Sequence, residues 1–216
     1  MIVVTTPMCK QIVEWAGLDD FKVNKHPDNE DGDFAILLSE SKVKMDSLAI
    51  KINTFGQIKE SIKIVSDILF EKDLIEKAID DEAIQSIFKS YENTDGLKYA
   101  LLDEAELNKI RENNKGKKVK VYSEFLKDIV RDIGANVIDF EYDKDEKFEK
   151  NEEHENHLEL DYDYLVYPDY LEEEVLKRED LDAEDEKFIK ILSHNNISKD
   201  PILKAESRYD TLIEKL

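Results

Sequence analysis

The residue with the most chemistry to offer is Cys9, the only cysteine in the chain. It closes the run Val3-Val4-Thr5-Thr6-Pro7-Met8-Cys9, a β-branched stretch that reads as a strand and then turns into a helix start. Thr6 suits the N-cap, and Pro7, Met8 and Cys9 then fill the first helical positions. The sulfur would lie near unpaired amide groups, which favour a thiolate and could hold an acyl oxyanion. On this reading Cys9 is the nucleophile, and Thr6, Pro7 and Met8 form the ligand-binding turn around it. The competing reading is a buried cysteine that packs as a small apolar side chain.

Three cysteine chemistries can be tested on the residues. A tyrosine-phosphatase-like loop would need Arg at position 15, where the chain has Trp15. A Cys-x-x-Cys redox centre fails for want of a second cysteine. A monothiol glutaredoxin-like site fits the opening run. Its later cis-proline is poorly served by Pro27, Pro168 and Pro201, which follow His26, Tyr167 and Asp200.

Other candidates sit where strands are expected to end. Ser39, Glu40 and Ser41 follow the apolar run Phe34 to Leu38, and the two serines suit a phosphate or ribose oxygen; an ordinary polar loop competes. Asn53 and Thr54 open a helix whose amide end suits a phosphate; simple capping by Thr54 competes. Tyr167 and Pro168 follow a strand, and Tyr167 could stack on a ring; a core aromatic competes. His154 and His157 among Glu152, Glu153, Glu155 and Glu159 read as a solvated charged linker, so no metal is expected. The turn Asp28 to Asp33 lacks the pattern of a calcium loop. No Walker or GxGxxG pattern occurs among the six glycines, so no nicotinamide cofactor is expected.

These residues need elements to hold them. Ile2 to Thr5, Phe21 to Val23, Phe34 to Leu38 and Leu48 to Ile52 read as strands. Thr54 caps a helix carrying Phe55, Ile58, Ile62, Val65 and Leu69 at helical spacing, and further helices cover about 80–91 and 104–113. Leu97 to Leu102 is ambiguous. The polar loop 114–118 reads as a boundary, beyond which the chain repeats its opening. A shift of 117 positions lays Ile2, Val4, Thr6, Ile12, Val13 and Gly17 on Val119, Val121, Ser123, Ile129, Val130 and Gly134. The match for Cys9 is Leu126. Asp163-Tyr164-Leu165-Val166 then echoes Asp33-Phe34-Ala35-Ile36, after an extra acidic segment near 143–159 that reads as an exposed insertion. The expectation is an α/β fold of two similar β-α-β halves with mainly parallel strands and a helical segment between them. The first half, 1–114, carries Cys9; the second, 115–216, carries the insertion. Right-handed crossovers place the strand ends of each half on one rim, where ligands bind.

With 52 acidic against 31 basic residues, net charge −21, the surface repels nucleic acid and anionic lipid, so neither is expected as a partner. The opening stretch is broken by Thr5, Thr6, Lys10 and Glu14, which argues against a signal peptide, and the expected location is cytoplasmic. A homo-oligomer is compatible with the sequence.

The segment MIVVTTPMCKQIVEWAGL, followed by DFAILLSES and IKINTF, resembles the HcgF family of methanogenic archaea, within about the first 55 residues. The Hcg proteins build the iron-guanylylpyridinol cofactor of [Fe]-hydrogenase. The resemblance implies that Cys9 forms a thioester with the carboxyl group of guanylylpyridinol, after adenylylation by an HcgE-like partner. The alternatives are a non-catalytic carrier of a nucleotide or small anion, and the glutaredoxin-like protein.

Overall fold

Among the described residues eight strands assemble as two four-stranded sheets in which every pair is parallel, one ordered Lys22–Val23, Val3–Thr5, Phe34–Leu38, Asp46–Ile50 and the other Asn136–Ile138, Lys118–Val121, Tyr164–Pro168, Phe188–Ile191. The computed structural model describes residues 1–138, 161–179, 186–193 and 198–216. The acidic segment near 143–159, with His154 and His157, lies outside the described residues. The chain divides into two compact units, Met1–Asp103 with Asn196–Tyr209, and Glu104–Asn195 with Asp210–Leu216. The α/β fold of two similar halves is therefore the observed one.

In the first unit the strands are β1 (Val3–Thr5), β2 (Lys22–Val23), β3 (Phe34–Leu38) and β4 (Asp46–Ile50). Val3, Val4 and Thr5 are all buried, because helices cover both faces of a central parallel strand. Helix α1 (Lys10–Trp15) is short and ends at Gly17, whose φ of 99° a side chain would resist. Helix α2 (Phe55–Glu71) buries Phe55, Ile58, Ile62, Val65 and Leu69, the stripe its spacing predicts. Each such side chain contributes roughly 1.5–3 kcal/mol by leaving water. Helix α3 (Asp81–Lys89) adds Ile84 and Phe88, with the Phe88 ring edge-on to Phe55 at 6.4 Å.

Leu97 to Leu102 forms neither strand nor helix. The buried carboxylate of Glu206, in α7 (Pro201–Lys215), accepts the amides of Lys98, Tyr99 and Ala100, the last two at 2.9 Å. Helix α7 gives its residues up to Tyr209 to the first unit and those from Asp210 to the second.

The second unit opens with α4 (Glu104–Asn114), then β5 (Lys118–Val121), α5 (Glu124–Asp132), β6 (Asn136–Ile138), β7 (Tyr164–Pro168), α6 (Glu172–Glu179) and β8 (Phe188–Ile191). The units part at Asp103, ahead of the polar loop expected to divide them. The reason is that α4 packs with the second half: Arg111 Nε donates to the Asp132 carbonyl at 2.9 Å, and Asn114 donates to that of Ile133 at 3.1 Å.

The repeat is real in topology but not gapless. Asp33 accepts the Ile2 amide at 2.6 Å, and Asp163 accepts that of Lys118 at 2.7 Å, so Ile2 corresponds to Lys118 rather than Val119. The ladders agree, pairing Val3 with Phe34 and Val119 with Tyr164. Beyond the strand the second copy gains one residue, after which Ile12, Val13 and Gly17 do match Ile129, Val130 and Gly134.

Candidate functional site

In a parallel sheet of order β2-β1-β3-β4 the chain leaves β1 toward β2 on one side and returns to β3 on the other. The carboxyl ends of β1 and β3 therefore flank the switch point, where open α/β sheets bind ligands. The first unit has a cleft there of about 270 Å³, lined by Thr6, Lys25, His26, Pro27, Asp28, Leu37, Ser41, Lys42 and Val43. Thr6 follows β1, Lys25 to Asp28 follow β2, and Ser41 to Val43 follow β3.

The walls are built by short-range turns. The Asn24 side chain accepts the His26 amide at 2.9 Å and donates to Glu30 at 2.7 Å, which shapes the loop after β2. Asp28 accepts the Lys44 amide at 2.9 Å and clasps this loop to the one after β3. The Ser41 amide donates to the Leu38 carbonyl at 2.9 Å, which closes a turn directly after β3. Lys25, His26 and Lys42 are exposed, and their side chains make no ion pair or hydrogen bond among the described residues. The cleft thus brings together Lys25, His26 and Lys42, the hydroxyls of Thr6 and Ser41, and one carboxylate, Asp28.

Of the residues expected to bind a ligand, Thr6 and Ser41 line this cleft. Pro7 is exposed and Met8 half-buried beside Thr6, and neither lines it. Ser39 is exposed at the same rim, its amide donating to Ile50 at 2.9 Å. Thr54 is a buried cap whose hydroxyl accepts the Gln57 amide at 3.1 Å, and the Asn53 amide donates to the Gln57 side chain at 3.0 Å. That pair closes the helix start, so the capping reading of Asn53 and Thr54 is the observed one. Tyr167 is corrected outright. It is 2% exposed in the second unit's core with Tyr122, Leu165, Leu171, Val175 and Phe188, because β7 is central and covered on both faces. No ring can stack on it there.

The expected setting of Cys9 is corrected as well. Thr6 does not cap a helix through its side chain: Cys9 itself precedes α1, and the Thr6 carbonyl accepts the amides of Cys9 and Lys10 at 3.0 and 3.1 Å. Helix α1 has only six residues, so its dipole is weak. The side chain is fully buried and does not line the cleft. Burial pushes the thiol up from 9.0 to about 11, against smaller lowering by a hydrogen bond from Thr6 and by the charge of Lys204. The helix end was expected to ionise the sulfur; loss of water outweighs it. Leu126, its match in the second half, is equally buried, which marks the position as core in both halves.

The residues that sequence reasoning missed are Lys25, His26 and Lys42. Their signal was available: each follows an expected strand on the rim already marked by Thr6 and Ser41. Among the described residues no group of three His, Cys, Asp or Glu is placed to hold a metal, and no helix is long and apolar enough to cross a membrane.

No protein-family model matches the chain, and no curated protein matches it. Among solved structures it is similar to the S. pombe Nbs1-Ctp1 complex, at 10% sequence identity and a TM-score of 0.34, over 97% of this chain. The match spans 62% of the length of that structure's chain.

Proposed function

We propose that the protein is a non-catalytic binding module whose first unit takes a phosphate monoester carried on a larger partner, a phosphorylated peptide being the chemistry that fits. The observation that carries this reading is the cleft at the β1/β3 switch point, with Thr6 and Ser41 hydroxyls beside unpaired Lys25, His26 and Lys42. A phosphate dianion offers oxygens for both hydroxyls and charge for the lysines.

Size and charge narrow the ligand. Sites that enclose a small molecule run to about 300–1,000 Å³, so a cleft of about 270 Å³ holds a phosphate and its near neighbours, not a buried nucleotide. A chain of net charge −21 is a poor match for the continuous phosphates of a nucleic acid. A single phosphate on an otherwise uncharged or basic peptide avoids that penalty.

The second half supports the assignment by contrast. Counted from the paired strands, Tyr122 stands for Thr6, Leu171 for Ser41 and Glu172 for Lys42. Tyr122 and Leu171 are core residues, and Glu172 already pairs with Lys190 at 2.9 Å. The hydroxyl-lysine set belongs to the first half alone.

The thioester reading, in which Cys9 holds guanylylpyridinol delivered by an HcgE-like partner, requires the sulfur to leave its packed position. Two measurements decide between them. A pool of phosphoserine and phosphothreonine peptides, with its unphosphorylated twin, is titrated by fluorescence anisotropy into wild type, Lys42→Met and Cys9→Ala. Phosphate-dependent binding that Lys42→Met weakens about tenfold (about 1.4 kcal/mol) and Cys9→Ala leaves unchanged is expected. Equal binding of both pools, or none, overturns the proposal. So does a mass gain with guanylylpyridinol that Cys9→Ala abolishes.

A further inference from the structure

The cleft of the first unit carries one charge of the wrong sign for an anion. Asp28 lines it together with Lys25, His26 and Lys42. Its Oδ1 accepts the Lys44 amide at 2.9 Å, and the carboxylate makes no other hydrogen bond or ion pair among the described residues. The three basic side chains make no ion pair there either, so none of their nitrogens stands within 4.0 Å of this carboxylate. Opposite charges thus face one cleft without neutralising each other.

The carboxylate is held in place. Asp28 sits in a single 3-10 turn, Pro27–Asn29, whose Pro27 is buried. The Asn29 amide donates to the His26 carbonyl and the Glu30 amide to that of Pro27, both at 2.9 Å. The clasp to Lys44 asks only for an acceptor, which an asparagine would supply without a charge. The charge itself opposes a phosphate, by an amount that solvent keeps small because Asp28 is exposed. A ligand that brings a cation beside its phosphate turns that repulsion into a pair. Among the residues lining the cleft Asp28 is the only carboxylate. Glu30, two residues on, is already engaged by Asn24 at 2.7 Å and Lys22 at 3.8 Å.

Resting on the reading of the cleft as a phosphopeptide site, we propose that Asp28 is its specificity-determining residue, selecting peptides with an arginine or lysine close to the phosphorylated residue. A cleft of about 270 Å³ spans the phosphate and its near neighbours, and an extended chain advances about 3.3 Å per residue, so the basic residue lies within about three positions. The net charge of −21 acts in the same direction, since it draws basic peptides and repels acidic ones. No covalent bond forms or breaks.

The test is a panel of phosphoserine peptides, read by fluorescence anisotropy, in which one arginine is moved through the three positions on either side of the phosphoserine. The comparator has alanine at all of them. Wild type is expected to prefer the arginine peptide at one or more positions by about threefold at low salt, the scale of an exposed pair. Asp28→Asn, which keeps an acceptor for Lys44, is expected to bind the arginine and alanine peptides equally. Lys42→Met should weaken all the peptides and leave the preference in place. Wild type alone supplies a second readout: in about 0.5 M salt the preference should fall to near one, because screening removes an exposed pair. Phosphate-dependent binding with no arginine preference at any position overturns the role of Asp28 alone. So does a preference that persists in Asp28→Asn or in high salt. Absence of phosphate-dependent binding across the whole panel overturns this proposal and the reading of the cleft together.

Discussion

Alkylation of Cys9 in the native protein tests whether its sulfur is packed or presented. At pH 8, a thiol moved from 9.0 to about 11 holds about a hundredfold less thiolate than an unperturbed one. The more basic thiolate is the better nucleophile, which recovers about eightfold, so ionisation alone slows reaction about tenfold. Access adds a larger factor. The side chain has no exposed surface, so reaction needs an opening of the first unit's core. Core openings cost nearly the whole folding free energy, about 5–15 kcal/mol, and even a partial opening of about 3 kcal/mol is more than a hundredfold. Reaction from an opened state frees the sulfur of the burial that raises its pKa, so the opening cost sets the rate, and native protein should react with N-ethylmaleimide at least about a hundredfold more slowly than protein unfolded in guanidinium, by intact-mass kinetics. A ratio near tenfold or below would refute the reasoning, since no opening of the core would then be needed for reaction. The sign of the pH dependence follows from the same burial. Between about 9 and 11 the folded state keeps a proton that the unfolded state has lost, so this contribution is present below 9 and disappears as pH rises toward 11. Lys204 acts oppositely between about 8 and 10.5, where the unfolded state holds the extra proton. The Cys9 contribution is read as the difference between wild type and Cys9→Ala, in which the alkaline loss should vanish.

Two further substitutions test the packing of each unit. Gly17→Ala and Gly134→Ala share a positive φ, of 99° and 88°, but a Cβ at Gly17 meets nothing closer than Ile75 at 3.9 Å, whereas one at Gly134 meets the Arg111 backbone at 2.5 Å. Gly17→Ala should cost about 1–2 kcal/mol and Gly134→Ala about 2–5 kcal/mol, measured by urea denaturation; equal costs would remove the close approach of α4 to the α5–β6 turn. Glu206→Gln should cost about 1.5–3 kcal/mol and speed amide exchange at Lys98, Tyr99 and Ala100, because an amide cannot replace a carboxylate that accepts all three. Unchanged exchange there would show that the loop is held by something else.

How much of the fold could be read depended on whether local pattern or distant contacts decide each element. Phe34 to Leu38 was read to the residue, since a strand buried on both faces is a bare apolar run with polar ends. Alternation predicts the next strand over Leu48 to Ile52, whereas it runs Asp46–Ile50. It is an edge strand, its first residues are exposed, and its extent is set by pairing Phe34 with Asp46 through Leu38 with Ile50. Leu97 to Leu102 had no local answer because its amides are held by Glu206, far along the chain. Composition points to the polar loop 114–118 as the boundary, yet Arg111 and Asn114 bind α4 to the second half through contacts invisible in composition.

The candidate site shows the same division more sharply. Strand order decides which residues reach the carboxyl rim, and Thr6 and Ser41 line the cleft there. Order along the chain does not say which side of a turn a side chain takes, and that decided Cys9. A strand-turn-helix start is shared by nucleophiles and by core residues; the two differ only in whether the side chain faces the cleft or the helix-sheet interface. The internal repeat already held the discriminating fact. Duplicated halves bury equivalent positions, and the position matching Cys9 is Leu126, a side chain with no chemistry and every reason to be inside. Positions that differ in kind between the halves carry the opposite message. Thr6 and Ser41 carry small hydroxyls and Lys42 a positive charge where the second half has the core residues Tyr122 and Leu171 and the acidic Glu172. A polar set that one half has and its copy lacks is what a site acquired by one half looks like.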